Sequence, residues 1–334
     1  MKEDGTSIRQ ITVIVPGGLH TDIIGAGVSD IVGKGELSYG GSLRIGPGGK
    51  SRNIAEMISV LSGRDGRVAM VGRTSRDPYG LWKPPLDALE SAGVNTDHVR
   101  ITDFEETGKY SAIALIPVDR DGRNQIYVLP GINEDFSPDD VDTSRDIFES
   151  AGKQGGILAL SLELPLPTAI RSIELAREYG LRTVLDPGGI RRDEDYEPLL
   201  SSGIFLLKPN EHEAEILSGV VVTNFESARE AAGILLGKGI EYVLITAGGD
   251  GAYLFGEDID EHIPASDPPK TGERDETGCG DQTMATLCMY LSEGMDVVEA
   301  SRIAIRAGTI QFSRSGIRPV EREELHETAK NVIQ

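Results

Sequence analysis

A glycine-rich turn near the C-terminal end of the chain has the residue types of a phosphate-binding site. Residues 278–281 read Gly-Cys-Gly-Asp and lead into a stretch with helical apolar spacing. Glycines let a phosphoryl group approach the backbone closely, and the first amides of a helix are unpaired donors in a favourable macrodipole. The turn therefore predicts an anion hole formed by Gly278, Cys279 and Gly280.

Asp281 follows this turn, in the first turn of the predicted helix. The positive end of a helix keeps a carboxylate ionised, so Asp281 can accept a proton from a hydroxyl that attacks a phosphoryl group. Asp281 is therefore the predicted catalytic base and touches the acceptor. The alternative is that Asp281 only caps the helix, and the turn taken alone favours that simpler interpretation.

Three motifs, in order along nearly the whole chain, resemble those of the ribokinase-like (PfkB) carbohydrate kinases. Residues 275–281, Asp-Glu-Thr-Gly-Cys-Gly-Asp, are similar to the family motif Asp-Thr-(small)-Gly-Ala-Gly-Asp. Residues 48–53, Gly-Gly-Lys-Ser-Arg-Asn, resemble its Gly-Gly-Lys-Gly-x-Asn turn, and residues 210–213, Asn-Glu-His-Glu, resemble its Asn-x-x-Glu element. Three ordered motifs are much harder to obtain by chance than one, so the resemblance favours the catalytic interpretation of Asp281.

The elements that must position these motifs alternate between strands and helices. Apolar runs at residues 10–15, 67–72, 156–160, 183–186, 204–207 and 242–246 predict buried strands. Segments 53–61, 86–92, 167–179, 214–217, 227–237 and 297–313 predict amphipathic helices between them. This alternation is typical of a parallel sheet covered on both faces, with ligands at the carboxyl ends of the strands. With the resemblance, it predicts a ribokinase-like three-layer α/β/α fold.

Two segments, at about residues 22–47 and 107–130, break this alternation. They alternate polar and apolar positions, and residues 119–122, Asp-Arg-Asp-Gly, are typical of a hairpin turn. The resemblance implies that both segments form a small β-sheet lid over the sugar, within a single kinase domain spanning residues 1–334. The alternative is that these strands extend the main sheet.

The resemblance also implies a sugar site. Residues 17–22, Gly-Gly-Leu-His-Thr-Asp, are similar to the family's Gly-x-x-Asn-x-Asp element, so Asp22 would accept sugar hydroxyl hydrogens and His20 would replace an Asn. The other implied sugar contacts are Gly49, Lys50, Asn53 and Glu163, together with Asp281. Each residue taken singly also has a structural interpretation, as a turn carboxylate, a helix cap or a solvated strand end. Their joint placement at strand ends favours binding.

A second set of residues is implied for the nucleotide and its cations. Residues 246–251, Thr-Ala-Gly-Gly-Asp-Gly, resemble the family's ATP-binding turn. The implied nucleotide contacts are Asn210, Thr246, Gly248, Gly249, Gly251, Gly278 and Gly280. Asn210 and Glu213 resemble the residues that organise Mg²⁺ through water, although an acidic first helical turn also explains them. Asp275 is similar to the carboxylate that helps to hold K⁺ beside the anion hole in many members.

The composition limits the class of partner. The net charge of −21 argues against nucleic acid or an anionic membrane. The chain has no run of 18 apolar residues, and its first residues lack an apolar signal core, so we expect a cytoplasmic protein without a membrane partner. Cys279 and Cys288 fall on one predicted helix, too far apart for a disulfide.

These implications together describe an ATP-dependent kinase that phosphorylates the hydroxymethyl group of a furanose, with D-ribose as the first expectation. A nucleoside, fructose or another furanose is the alternative acceptor, because His20 presents its donor and acceptor in a different geometry from Asn. A sugar or nucleotide sensor without turnover is an alternative from a different class. A nicotinamide dehydrogenase is disfavoured, since no Gly-x-Gly-x-x-Gly turn follows the first strand. The resemblance also implies a homodimer through the lids, whose strand edges would otherwise stay unpaired.

Overall fold

The computed structural model of the protein describes residues 10–269 and 274–325. The strands in these ranges are β1 (Val13–Pro16), β2 (His20–Val28), β3 (Gly40–Gly48), β4 (Val68–Arg76), β5 (Asn95–Asp103), β6 (Ala112–Asp119), β7 (Tyr127–Leu129), β8 (Ile157–Ser161), β9 (Arg182–Asp186), β10 (Leu206–Leu207), β11 (Tyr242–Thr246), β12 (Ala252–Gly256) and β13 (Ile259–Ile263). The helices that lie wholly within them are α1 (Lys50–Leu61), α2 (Lys83–Ser91), α3 (Phe104–Thr107), α4 (Pro138–Asp142), α5 (Arg145–Gly152), α6 (Leu166–Tyr179), α7 (Glu197–Leu200), α8 (Glu211–Ser218), α9 (Phe225–Leu236), α10 (Cys279–Ser292) and α11 (Val297–Phe312).

Nine strands form the main sheet, in the order β13-β12-β11-β10-β9-β8-β1-β4-β5. All strand pairs from β11 to β5 in this order are parallel. The pairs β11–β12 and β12–β13, at one edge, are antiparallel. The parallel strands in the interior of the sheet carry apolar runs, because both of their faces are covered by helices, whereas the parallel edge strand β5 is largely polar. Their carboxyl ends meet at one edge of the sheet, where the predicted motifs follow them.

Helices cover both faces of the main sheet in two separate apolar layers. Val13 and Val15 of β1 pack with α1, α2, α10 and α11, whereas Ile14 packs on the opposite side with α5, α6 and α9. The alternation follows from the two-residue period of a strand. The result is the predicted three-layer arrangement.

The second sheet has four strands in the order β3-β2-β6-β7. It is built from both segments predicted for the lid, so the alternative in which they extend the main sheet is wrong. Its register places Asp22 beside Gly46 and Ala114, and Ala114 beside Val128, on one face. The opposite face carries Ile23, Ile45, Leu115 and Tyr127 in register.

All six predicted strands and all six predicted helices are present, with small shifts of their ends. The hairpin of β12 and β13, the edge strand β5 and the helices α4 and α5 were not predicted. Within the described part of the chain, no helix is long and apolar enough to cross a membrane.

Candidate active site

The glycine-rich turn opens helix α10 as predicted. Gly278 adopts a left-handed conformation, with φ 76°, and is the residue before the first helical residue, Cys279. A side chain at Gly278 would be strained in that conformation. The amides of Cys279 and Gly280 therefore belong to the start of a long helix, where an anion is stabilised.

Asp281 lies in the first turn of α10 and is only 5% exposed. Its two oxygens accept hydrogen bonds from Lys50 Nζ at 2.7 Å and from Asn53 Nδ2 at 2.8 Å. The amide of Asn53 has a defined orientation, because its Oδ1 accepts a hydrogen bond from the guanidinium of Arg52. The structure thus brings together two distant motifs, and Asp281 is held by side chains rather than serving as the cap of its own helix.

Lys50 and Asn53 are presented by the start of α1. This helix follows Gly49, whose φ is 95° and whose missing Cβ would lie 2.9 Å from the carbonyl oxygen of Gly18. The backbone N–H of Lys50 donates to Glu163 Oε2 at 2.7 Å. The side chains of Glu163 and of Asp281, the predicted base, therefore both contact Lys50.

The ammonium group of Lys50 lies between two carboxylates, at 2.7 Å from Asp281 and 3.8 Å from Asp186. Burial alone would lower the pKa of Lys50, but the charges of Asp186 and Asp281 outweigh it and hold that pKa well above its ordinary value. Lys50 is therefore a permanent cation beside the predicted base.

Asp22 approaches the site from the lid, on β2. A Cβ on Gly48 would lie 1.9 Å from Asp22 Oδ1, so this position requires glycine. Burial raises the pKa of Asp22 above its ordinary value, despite the opposing charges of His20 and Arg52. An ionised carboxylate that is partly desolvated gains from donors, and sugar hydroxyls are suitable donors.

A cavity of about 550 Å³ opens between the lid and the main sheet. His20, Asn133 and Glu163 line it, and a Cβ on Gly18 would lie 3.0 Å from His20 Nε2, Asn133 Nδ2 and the Glu163 carbonyl oxygen. The Oδ1 atom of Asn133 is buried and has no hydrogen-bond partner among the described residues. The cavity thus combines a few polar side chains with a wall of Leu, Val and Pro side chains, as small-molecule sites commonly do.

Asn210 and Glu213 form a capping box at the start of α8. Asn210 Oδ1 accepts from Glu213 N at 2.8 Å, and Glu213 Oε2 accepts from Asn210 N at 2.9 Å. Burial, together with the charge of Asp186, raises the pKa of Glu213. A divalent cation would relieve that repulsion, so the donor set fits Mg²⁺, which keeps most of its own waters. In the described residues, no cluster of three or more His, Cys, Asp or Glu side chains forms a complete metal cage.

The predicted nucleotide turn follows β11, directly beside Asn210. Thr246 pairs with Asn210 through a β-bridge, and residues Gly248–Asp250 form a single 3₁₀ turn. Gly251 has φ 91°, and a Cβ there would lie 2.1 Å from the carbonyl oxygen of Ile263. Gly248 and Gly249 have nothing within 4 Å of an added Cβ, so the turn leaves open space beside its backbone.

Asp275 organises the loop before the anion hole. Its carboxylate accepts from Thr277 N at 2.9 Å and from Gly316 N at 2.8 Å. Burial works to raise the pKa of Asp275, but these hydrogen bonds outweigh it and hold the pKa below its ordinary value. Gln311 Nε2 donates to the carbonyl oxygens of Thr277 and Gly316, so carbonyl groups converge beside Asp275.

Cys279 is half-buried, and its Sγ lies 3.6 Å from the carbonyl oxygen of Asp275. Burial raises the pKa of its thiol to about 12, and the charges of Asp275, Glu276 and Asp281 act in the same direction. The thiol is therefore neutral at physiological pH. Cys288 lies on the same helix, as expected, and both cysteines are free.

The predicted residues gather in three groups around the carboxyl ends of the strands. In the first group, His20 and Glu163 line the cavity, and hydrogen bonds link Glu163, Lys50, Asn53 and Asp281, with Gly49 before Lys50 and Asp22 on β2 of the lid. The second group, at α8 and β11, consists of Asn210, Glu213, Thr246 and the Gly248–Gly251 turn. The third is Asp275, before the glycine-rich turn. Sequence reasoning missed Arg52, Asn133, Asp186 and Lys208. Asp186 and Lys208 directly end or follow β9 and β10, so the strand-end rule was the signal that could have found them.

The chain matches a known protein family over most of its length. Residues 13–323 match the pfkB family carbohydrate kinase model. A deoxyribokinase of Salmonella typhi is 28% identical over 301 residues, which cover 88% of this chain and 92% of the relative. A ribokinase of Staphylococcus aureus is 32% identical over 232 residues, which cover 69% of this chain and 72% of the relative.

Among solved structures, Arabidopsis thaliana ribokinase complexed with ribose and ATP superimposes with a TM-score of 0.84 and 25% identity, covering 96% of this chain and 99% of that chain. A ribokinase of Thermotoga maritima superimposes with a TM-score of 0.79 over 96% of this chain and all of that chain, at 24% identity. The first shares fold and sequence, and the second shares the fold. The chain therefore belongs to the pfkB family of carbohydrate kinases.

Proposed function

We propose that this sugar kinase transfers the γ-phosphate of ATP to the hydroxymethyl group of a furanose, with D-ribose as the preferred acceptor. The observation that carries the proposal is the contact of Asp281 with both Lys50 and Asn53 at the start of α10. That contact joins a base, a fixed cation and an anion hole at one point. The names of the relatives, ribokinase and deoxyribokinase, support a pentose.

In the proposed reaction, Asp22, Asn53 and Glu163 hold the sugar hydroxyls and aim one of them at Asp281. Asp281 takes the hydroxyl proton while the amides of Gly278, Cys279 and Gly280 stabilise the phosphoryl oxygens. Lys50 remains protonated and keeps the Asp281 carboxylate in place. Mg²⁺, held through water by Asn210 and Glu213, would screen the charge of the β- and γ-phosphates.

The acceptor is tested by ADP release with ribose, 2-deoxyribose, fructose and nucleosides at equal concentrations. We expect the highest kcat/KM with ribose. A higher kcat/KM with 2-deoxyribose or a nucleoside would replace ribose as the substrate. No ADP release with any acceptor, from protein that binds ATP, would instead support a sensor.

We also propose that K⁺ binds beside Asp275 and raises kcat by fixing the loop that presents the anion hole. The converging carbonyls of Thr277 and Gly316 support this site. The test exchanges K⁺ for tetramethylammonium at fixed ionic strength, in the wild type and in Asp275→Ala. Activation by K⁺ that disappears in the variant supports the site. Equal rates in both salts would reject the K⁺ site.

Finally, we propose that two copies pair through the outer faces of their lids. Leu43 is 68% exposed, Ile45 54% and Tyr127 53%, on the face opposite to Asp22. Apolar side chains in register on a sheet are seldom left in water by a monomer. A second lid is a self-complementary cover for such a face.

A further inference from the structure

A buried ion pair lies beside the anion hole and has no role in the reaction described above. Lys208 Nζ lies 2.9 Å from Asp186 Oδ2, and the two residues are only 3% and 2% exposed. Burying two charges costs desolvation free energy that their attraction often fails to recover, so stability alone is a weak reason for such a pair. The pair therefore calls for a functional explanation.

The position of Lys208 supplies one. Its Nζ lies 4.0 Å from the point where a Cβ on Gly280 would be, and Gly280 belongs to the anion-hole turn. Lys208 directly follows β10, in the middle of the main sheet, and its side chain extends to this turn. A phosphoryl group seated on the amides of the turn would thus lie next to a full positive charge.

Asp186 connects this lysine to the acceptor side of the site. Its other oxygen, Oδ1, lies 3.8 Å from Lys50 Nζ, and Lys50 contacts Asp281. The carboxylate is fixed by the Gly188 amide, which donates to Oδ1 at 2.8 Å. A Cβ on Gly188 would lie 2.2 Å from Lys50 Cε, so glycine at this position leaves room for the Lys50 side chain to reach Asp281.

We propose that Lys208 is a catalytic residue that contacts the transferring phosphoryl group, and that Asp186 is a positioning residue that holds Lys208 on the phosphate side and Lys50 on the acceptor side. The proposal rests on the kinase reaction described above. In that reaction the acceptor oxygen bonds to the γ-phosphorus, the bond from this phosphorus to the β,γ-bridging oxygen breaks, and Asp281 takes the proton. Lys208 stays protonated throughout and stabilises the phosphoryl oxygens.

The charge of the whole chain makes such a cation useful. The net charge of −21 opposes the approach of a nucleotide, and the amides of a helix start carry only partial charge. A lysine that is enclosed by protein acts in a medium of low dielectric, where its attraction for a phosphate is stronger than in water. Asp186 holds this side chain in a fixed position in the absence of substrate.

The test compares Lys208→Met, Asp186→Asn and the double variant Asp186→Asn/Lys208→Met. The double variant removes both charges at once, so no unpaired charge is left in the interior and we expect its melting temperature to stay near that of the wild type. We expect its kcat to fall by ~10²-fold, the loss typical for one donor to a developing oxyanion. In Lys208→Gln, which leaves Asp186 in place beside Lys50, we expect the sugar KM to change by less than about twofold, since Lys208 does not touch the acceptor.

A binding measurement separates phosphate contact from a structural role. We expect the affinity of the double variant for the ATP analogue AMP-PNP to fall about tenfold, as for the loss of a charged hydrogen bond, and its affinity for AMP to be unchanged. The matched control is Arg73→Met/Asp140→Asn, which removes a mostly buried pair away from the turn and should change neither affinity. Lys208→Gln, which can still donate to Asp186, repeats both measurements if the double variant does not fold.

Three outcomes decide the matter. The proposal is overturned, and the pair is a structural one, if the double variant keeps the wild-type kcat and the wild-type affinity for AMP-PNP. If the double variant does not fold, the same result from Lys208→Gln decides it. A parallel loss of AMP and AMP-PNP affinity would also overturn it, because a phosphoryl contact spares AMP. A wild-type protein that binds AMP-PNP but phosphorylates no sugar would contradict the proposed function, while the binding comparison would still test the position of Lys208.

Discussion

The main sheet and the lid differ in how they treat their two faces. Every residue of β8 is buried, whereas β3 is exposed along most of its length and β7 along all of it. The main sheet is fixed from both sides by helices, and the lid is supported on one side only. A sheet with one free face can shift as a unit at much lower cost than a strand that is packed on both faces.

The two regions carry different parts of the proposed chemistry. Lys50, Asp186, Lys208 and Asp281 stand on the main sheet and its helices, whereas His20 and Asp22 stand on β2 of the lid. Groups that must keep sub-ångström geometry thus lie on the rigid part, and groups that select the acceptor lie on the part that can close over it. Substitutions in the main domain should therefore change kcat, and substitutions in the lid should change acceptor recognition and assembly.

The largest expected effect is that of Asp281→Asn. Asn keeps the shape, but its single amide oxygen can accept from only one of Lys50 and Asn53, and it is a far weaker proton acceptor. We expect kcat to fall by at least ~10²-fold with little change in sugar affinity. Steady-state ADP release and calorimetry with the sugar measure the two effects. Asp87→Asn, at an exposed carboxylate of α2, is the control, and a base variant that keeps most of its turnover would refute the mechanism.

Asp22→Ala tests the lid in the same assay. The loss of the carboxylate leaves sugar hydroxyls without an acceptor. We expect a lower kcat/KM for the sugar, which corresponds to a loss of about 1–3 kcal/mol in transition-state stabilisation. ATP affinity, measured by calorimetry, should be unchanged. Asp121→Ala, at an exposed position of the lid hairpin, is the matched control. Lost ATP affinity with sugar affinity intact would assign Asp22 to the nucleotide instead.

Leu43→Lys/Ile45→Lys tests the free face of the lid. Two cations on each lid would repel their counterparts in a second copy, so we expect the dissociation constant of the dimer to rise by at least about 10-fold. Sedimentation velocity over a range of protein concentrations gives the result. A wild-type protein that is monomeric at all concentrations would leave the lid without a protein cover and would contradict the proposed dimer.

The smallest expected effect is on stability, in Asp22→Asn. Burial raises the folded-state pKa of Asp22, so folding favours the protonated carboxyl over the ionised one. The stability that the protonated carboxyl contributes is lost as the pH rises through the folded-state pKa. Asn avoids this cost, so we expect the melting temperature to rise by about 1–3 °C at pH 7. The gain should vanish when the pH falls below the ordinary pKa of an aspartate. A gain that is the same at pH 4 and pH 7 would point to a cause other than charge.

The sequence predicted the interior strands because their apolar runs are unbroken, and it predicted the base because two glycines and an aspartate precede a helical pattern. It did not predict β5 or the β12–β13 hairpin, which lie at the sheet edges. Edge strands face water, so sequences such as Asn95–Asp103 and Ile259–Ile263 carry charged residues and lack an apolar run. The Asp186–Lys208 pair was also missed, because the two residues meet only through the parallel pairing of β9 and β10.

Cys279 is the middle residue of the proposed anion-hole turn, and the pKa of about 12 of its thiol, which faces the Asp275 carbonyl, has a consequence for its reactivity. An ordinary thiol is a few per cent ionised at neutral pH, and the thiolate is the form that alkylating agents and peroxides attack. At this pKa only about one thiol in 10⁵ is ionised at pH 7. A cysteine in this turn therefore adds almost no negative charge to it at neutral pH, and its sulfur is a poor target for alkylation.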